Sequence, residues 1–166
     1  YGEMGHAQAS MGVAWGDADD DGRPDILVTN FEDDYNTLYH NEGKGFFSDI
    51  SFAAGLGQPS LPFVGFGAGF LDFDNDGDLD LLVANGHVYP QIDQAGSGAT
   101  YAQANHLYEN QGQGRFTLLL TTTPRLSRGS CIGDLDDDGD LDLFITNLTD
   151  RPSLFRNEMG KRQHWL

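Results

Sequence analysis

Basic side chains are scarce in this sequence. Nine lysines and arginines face 26 aspartates and glutamates, and the formal charge of −17 argues against nucleic acid as a partner. Cysteine occurs once, at Cys131, so an internal disulfide is excluded and the redox state of the compartment is not readable. Its place in the apolar approach to an acidic loop predicts a buried, structural thiol. No apolar run approaches the roughly 20 residues that cross a bilayer, so membrane insertion is not expected. No leader stands at Tyr1, although both chain ends look cut from something longer. A Ser-His-Asp or Cys-His catalytic signature is also lacking. The histidines His6, His40, His87, His106 and His164 fall at no metal-ligand spacing, and each reads as a surface or strand-end residue.

Acid is abundant, and it is concentrated. The stretch Asp72-Phe73-Asp74-Asn75-Asp76-Gly77-Asp78-Leu79-Asp80 is written three times, its other copies being Asp17–Asp25 and Asp134–Asp142. These three loops hold 16 of the 26 acidic residues. Carboxylates stand at loop positions one, three, five and nine: Asp17, Asp19, Asp21 and Asp25; Asp72, Asp74, Asp76 and Asp80; Asp134, Asp136, Asp138 and Asp142. Alternate carboxylates on a tightly curled loop converge, and the glycine at position six permits the turn that returns position nine to the others. Four such groups repel unless a cation sits among them. Hard oxygen donors in that number select Ca²⁺ over zinc or copper, and a flexible cage favours it over Mg²⁺. One ion per loop gives three, whose six charges would bring the chain from −17 to −11.

The EF-hand opens with a similar run but needs a bidentate glutamate at position twelve and flanking helices. Position twelve here is Val28, Val83 and Ile145, each inside a β-branched or apolar run, so that reading fails three times. A solvated acidic turn would account for one copy, and three copies at one spacing argue against it.

The repeat is larger than the loop. A glycine-containing apolar strand precedes each one, at Met11–Trp15, Gly67–Leu71 and Gly129–Gly133. A second strand follows at Ile26–Asn30, Leu79–Asn85 and Leu141–Asn147, apolar on both faces and so expected to be buried between two sheets. A third recurs at Thr37–Asn41, His106–Asn110 and Ser153–Asn157. After the first two of these, glycine-rich turns lead into a fourth strand. With 22 glycines and loops starting 55 and 62 residues apart, the chain is expected to be all-β, built of four-stranded antiparallel propeller blades. The blades are expected at about 9–52, 64–121 and 128–160, the last incomplete. Three blades do not close a ring, which implies part of a larger propeller with apolar end faces.

These units resemble FG-GAP (VCBS-type) repeats, the Ca²⁺-binding blades of integrin α-subunit propellers. Ala14-Trp15-Gly16-Asp17, the Leu-Tyr-x-Asn strands and Val83–Pro90 are most similar to the group containing cartilage acidic protein and the ASPIC/UnbV proteins. Gln163-His164-Trp165-Leu166 resembles the opening of an ASPIC/UnbV domain, placing a possible start at 161–166. The resemblance implies side-chain ligands at positions one, three, five and nine plus the main-chain carbonyl at position seven, which belongs to Arg23, Asp78 and Asp140. Loop one departs with Arg23-Pro24 where the others read Asp-Leu, and the guanidinium is expected to weaken that site.

The function implied is non-catalytic: a Ca²⁺-stabilised extracellular, cell-surface or periplasmic module for adhesion or assembly. Its partner would be a protein, a glycan or neighbouring subunits within a larger chain or assembly. The alternative is a carbohydrate-binding propeller or the scaffold of a polysaccharide-active enzyme such as a lyase. An acid/base pair drawn from the aspartates is disfavoured, because carboxylates in a metal cage are not free for proton transfer. The connection Gly86–Asn105, at 20 residues far longer than Phe31–Asn36 or Leu148–Pro152, marks a partner surface opposite the acidic loops, with Tyr89 and Tyr101 as anchors. A flexible decoration is the competing reading of that loop.

Overall fold

The computed structural model describes residues 5–158. Residues 159–166, including the stretch read as the start of a following domain, lie outside the described residues, as does His164. Among the described residues, eleven strands form three antiparallel sheets, each written in sequence order. The first is β1 (Gly12–Gly16), β2 (Asp25–Thr29), β3 (Thr37–Gly43) and β4 (Phe46–Asp49). The second is β5 (Gly65–Leu71), β6 (Asp80–Asn85), β7 (His106–Asn110) and β8 (Phe116–Thr121), and the third β9 (Ser127–Gly133), β10 (Asp142–Asn147) and β11 (Ser153–Phe155). Two one-turn helices, α1 (Gly57–Ser60) and α2 (Ile92–Ala95), lie in the connections. No helix among the described residues is long and apolar enough to cross a membrane.

The sheets stack as consecutive propeller blades because their first strands touch. A side chain at Gly12 would overlap the Phe66 carbonyl oxygen, and Thr29 donates its hydroxyl to that same oxygen at 2.8 Å. At the next seam a methyl on Gly67 would lie 2.7 Å from the Ser130 nitrogen and 2.8 Å from the Arg128 oxygen. Glycine in the first strands is therefore a requirement of close backbone approach.

Between blades one and two the core contains Leu27 and Leu38 on one side and Leu81, Val83 and Tyr108 on the other. The connection after β4 fills the remaining space with Ala54 and Leu56, and Phe116 of β8 donates its N–H to the Ala54 carbonyl at 2.8 Å. The connection after β8 is shorter and supplies only Leu126 as a buried apolar residue. An apolar cavity of about 190 Å³ is left between blades two and three, lined by Leu82, Leu107, Leu120, Leu143, Ile145 and Phe155.

Burial follows position in the stack. All six residues of β6 are buried, as its two-faced apolar pattern requires, whereas in β10 Phe144 and Thr146 are exposed. No blade covers the outer face of the third sheet among the described residues, and the row Cys131, Phe144 and Leu154 lies open there. Cys131 is thus exposed, not buried as expected. Val13 and Trp15, 69% and 76% exposed, mark the opposite end face.

Two histidines also depart from expectation. His87 and His106 are buried at 0% and 2% exposure. His106 stacks edge-on against Phe63 and Tyr108, with Nδ1 3.1 Å from the Tyr108 hydroxyl, and burial pushes its pKa down to about 4. A histidine lowered from 6.5 takes up its proton more readily unfolded than folded, so its contribution to stability is complete above pH 6.5 and is lost as pH falls toward 4. Between pH 7 and pH 5 the wild type should lose roughly 2 kcal/mol more unfolding free energy than the variant His106→Gln. Urea titrations of both proteins at the two pH values measure this; equal losses would show that His106 does not control the difference.

Candidate metal centres

Each acidic loop joins the first and second strands of its blade and is shaped by its own backbone. Gly22, Gly77 and Gly139 at position six have φ of +86°, +99° and +92°. At position four Asp20, Asn75 and Asp137 are also left-handed, near +60°, a conformation these short polar residues tolerate best after glycine. The turn needs both positions.

The carboxylates at positions one, five and nine are held by N–H donors. Position one accepts from positions five and six: Asp17 from Asp21 (3.1 Å) and Gly22 (2.7 Å), Asp72 from Asp76 and Gly77 (both 3.1 Å), Asp134 from Asp138 (3.2 Å) and Gly139 (3.0 Å). Position five accepts from position seven, Asp21 from Arg23, Asp76 from Asp78 and Asp138 from Asp140. Position nine reaches furthest. Asp25, Asp80 and Asp142 each accept one N–H from position two, Ala18, Phe73 or Leu135, at 2.8–3.1 Å. Each accepts a second at 2.8 Å from the asparagine ending the third-strand motif, Asn41, Asn110 or Asn157.

Position three is different. Oδ1 of Asp19 and of Asp74 is buried without a hydrogen-bond partner. Burial, and then the neighbouring carboxylates, push both groups above the usual carboxylate range. Burial likewise raises Asp80 to about 6 despite its two N–H donors. Oxygen atoms of Asp72, Asp74 and Asp80 lie within 4.8 Å of one another, as do those of Asp134, Asp136 and Asp142, and of Asp17, Asp19 and Asp21. A hard cation is the group that fits these three clusters: their donors are all oxygen, two oxygens are buried and unpaired, and like charges are crowded.

The structure thus gathers positions one, three and nine in loops two and three; in loop one it gathers positions one, three and five, and also positions three and nine with His40, while Asp76 and Asp138 fall outside the clusters of their loops. The side chains at position seven point to other tasks. Arg23 pairs with Asp21 and donates Nε to the Asn41 carbonyl at 2.7 Å. Asp140 accepts from the Asn75 carboxamide at 3.1 Å, and Asp78 approaches Gly112 in the turn of its own blade.

One set of neighbours is not evident from loop spacing. The residue before each third-strand asparagine faces the loop of its own blade: His40, Glu109 and Arg156. His40 Nδ1 lies 3.2 Å from Asp25 and 3.5 Å from Asp19, so one cluster does include an imidazole. Glu109 adds negative charge at Asp74, and Arg156 pairs with Asp136 and lies 3.4 Å from Asp138. Their shared place ahead of the recurring asparagine is the signal that marks them.

A family description, FG-GAP-like repeat, matches residues 17–83 and 72–145, each match running from the first aspartate of one loop into the strand after the next. The chain belongs to the FG-GAP-like repeat family. It is also 30% identical to cartilage acidic protein 1 of mouse over 163 residues, covering 94% of this chain and 23% of that protein. The human and Xenopus tropicalis cartilage acidic protein 1 are likewise 30% identical, over 84% and 92% of this chain. The chain spans less than a quarter of the length of these relatives.

Roles within the loop separate by substitution. Asp80→Asn puts an amide N–H against one of two N–H donors and should cost roughly 1–3 kcal/mol of stability even without cation. Asp74→Asn removes crowded charge and should leave the cation-free protein as stable or more so, while losing the ion. Chemical denaturation in chelator, followed by ion counting in native mass spectra, distinguishes the two; equal destabilisation would refute the division of labour.

Proposed function

We propose that the chain is a Ca²⁺-stabilised interaction module of an extracellular, cell-surface or periplasmic protein, acting in adhesion or assembly and not in catalysis. The observation that carries the reading is one oxygen of the position-three carboxylate, Oδ1, which in loops one and two is buried without a hydrogen-bond partner beside carboxylates already held by N–H donors. Three ions, one per loop, are the occupancy this supports, with positions one, three, five and nine and the carbonyl at seven as ligands. Carboxylates engaged in this way are poor proton shuttles, which supports a structural role. The apolar end faces around Trp15 and Phe144, together with relatives more than four times as long, support further blades on either side and a larger ring.

A cation that binds only the folded form stabilises it by RT ln(1 + [L]/Kd), about 3 kcal/mol at a hundredfold excess over Kd. EDTA should lower the melting temperature, Ca²⁺ should restore it, and Mg²⁺ should do so only in part. A melting curve that EDTA leaves unchanged, on protein shown beforehand to carry the ion, would rule the role out.

The partner face we assign to the side opposite the loops. There the ends of Gly86–Asn105 are tied to the blades, the His87 N–H donating to the Tyr101 carbonyl at 3.0 Å and Gln103 bridging to Arg125, while its middle is largely exposed. His87 Nε2 lies 3.1 Å from Glu32, and Arg128 donates to the Gly86 and His87 carbonyls at 3.0 and 3.1 Å, joining all three blades. Tyr101 is half-buried and serves this packing, while Tyr89, 60% exposed, is the available aromatic anchor. Deleting Gln91–Thr100 should preserve ion binding and abolish association with the partner, read by light scattering or by pull-down from the native source. Association that survives the deletion would place the partner surface elsewhere.

A further inference from the structure

We propose that Arg156 is a built-in competitor for the cation of loop three, so that the three loops fill unequally, with loop two first. The inference rests on the Ca²⁺ reading above and deepens it. In loops one and two the position-three carboxylate keeps a buried unpaired oxygen, at Asp19 and Asp74. In loop three that role falls to Asp136, and the Arg156 guanidinium is already paired with it, while lying 3.4 Å from the position-five carboxylate of Asp138. A guanidinium here occupies the coordination directions a cation needs and adds a like charge beside it. Loop two has the opposite neighbour, since the equivalent side chain is Glu109, whose charge adds to that of Asp74. Loop one lies between: Arg23 pairs with Asp21 at position five, and the equivalent side chain, His40, lies 3.5 Å from Oδ2 of Asp19 while Oδ1 stays unpaired.

Arg156 is held loosely enough to yield. It is 54% exposed, and Glu158 lies 3.2 Å from its Nε, offering a partner outside the loop. An exposed ion pair of this kind shifts affinity modestly, by about fivefold at the upper end. The device therefore grades the sites without disabling one.

Calorimetric titration of the metal-stripped full chain with Ca²⁺ tests this, with circular dichroism confirming that each variant folds. The wild type should show one tight step, abolished by Asp74→Asn, and a weaker step assigned by its loss in Asp136→Asn. Arg156→Leu should tighten that weaker step by about fivefold. Glu109→Arg, which transplants the competitor, should weaken the tight step by a similar factor. Equal sites in the wild type, or isotherms that neither Arg156→Leu nor Glu109→Arg alters, would overturn the proposal while leaving Ca²⁺ binding intact. Failure of the wild type to bind Ca²⁺ would instead overturn the Ca²⁺ reading itself.

Discussion

The ninth carboxylate of each loop ties the candidate metal centre to the sheet. Asp25, Asp80 and Asp142 are the first residues of β2, β6 and β10, each buried at 0–2% exposure, and each accepts one N–H from its own loop and one from the end of the third strand. A buried carboxylate with both oxygens engaged is costly to leave and costly to mispair. It therefore fixes the register of three segments at once: the loop, the second strand and the third. The side chain before the asparagine is carried to the loop by the same register, which is why His40, Glu109 and Arg156 occupy equivalent places with different chemistry.

This arrangement separates forming the cage from charging it. Positions one, five and nine are satisfied by N–H donors without any cation, so the loop has its shape in advance. In loops one and two, position three bears the unsatisfied charge. A site that is already folded loses little entropy on binding, and the electrostatic strain at Asp19 and Asp74 is relieved only when a positive group arrives.

Strands and acidic loops were legible because both are periodic: apolar residues at strand spacing, and aspartates at alternate positions around a glycine. The observed first strands begin within two residues of the expected ones, and β7 spans His106–Asn110 as expected. What was not legible depends on which surface meets which. Cys131 sits in a sequence setting like that of a core residue, yet its side of β9 faces no further blade among the described residues. His87 and His106 are polar enough to read as surface, and are buried because contacts distant in sequence, Phe31 and Glu32 for one and Phe63 for the other, close over them. Arg156 lies 20 residues beyond Asp136, and only sheet register brings them together.

The same asparagines connect one blade's loop to the next. Asn110 uses its backbone N–H to hold Asp80 of loop two and its carboxamide to hold the Ala18 carbonyl of loop one at 2.8 Å. Asn157 repeats this one blade on, holding Asp142 of loop three and the Phe73 carbonyl of loop two. Ala18 and Phe73 are the position-two residues whose N–H groups bond Asp25 and Asp80, so the chain of contacts runs without a break from loop three to loop one. The loops are thus physically continuous through hydrogen bonds, which is a precondition for any energetic coupling between them. Under the proposed unequal filling, an ion in loop two would therefore sit at the centre of this chain of contacts, next to the seams with both its neighbours.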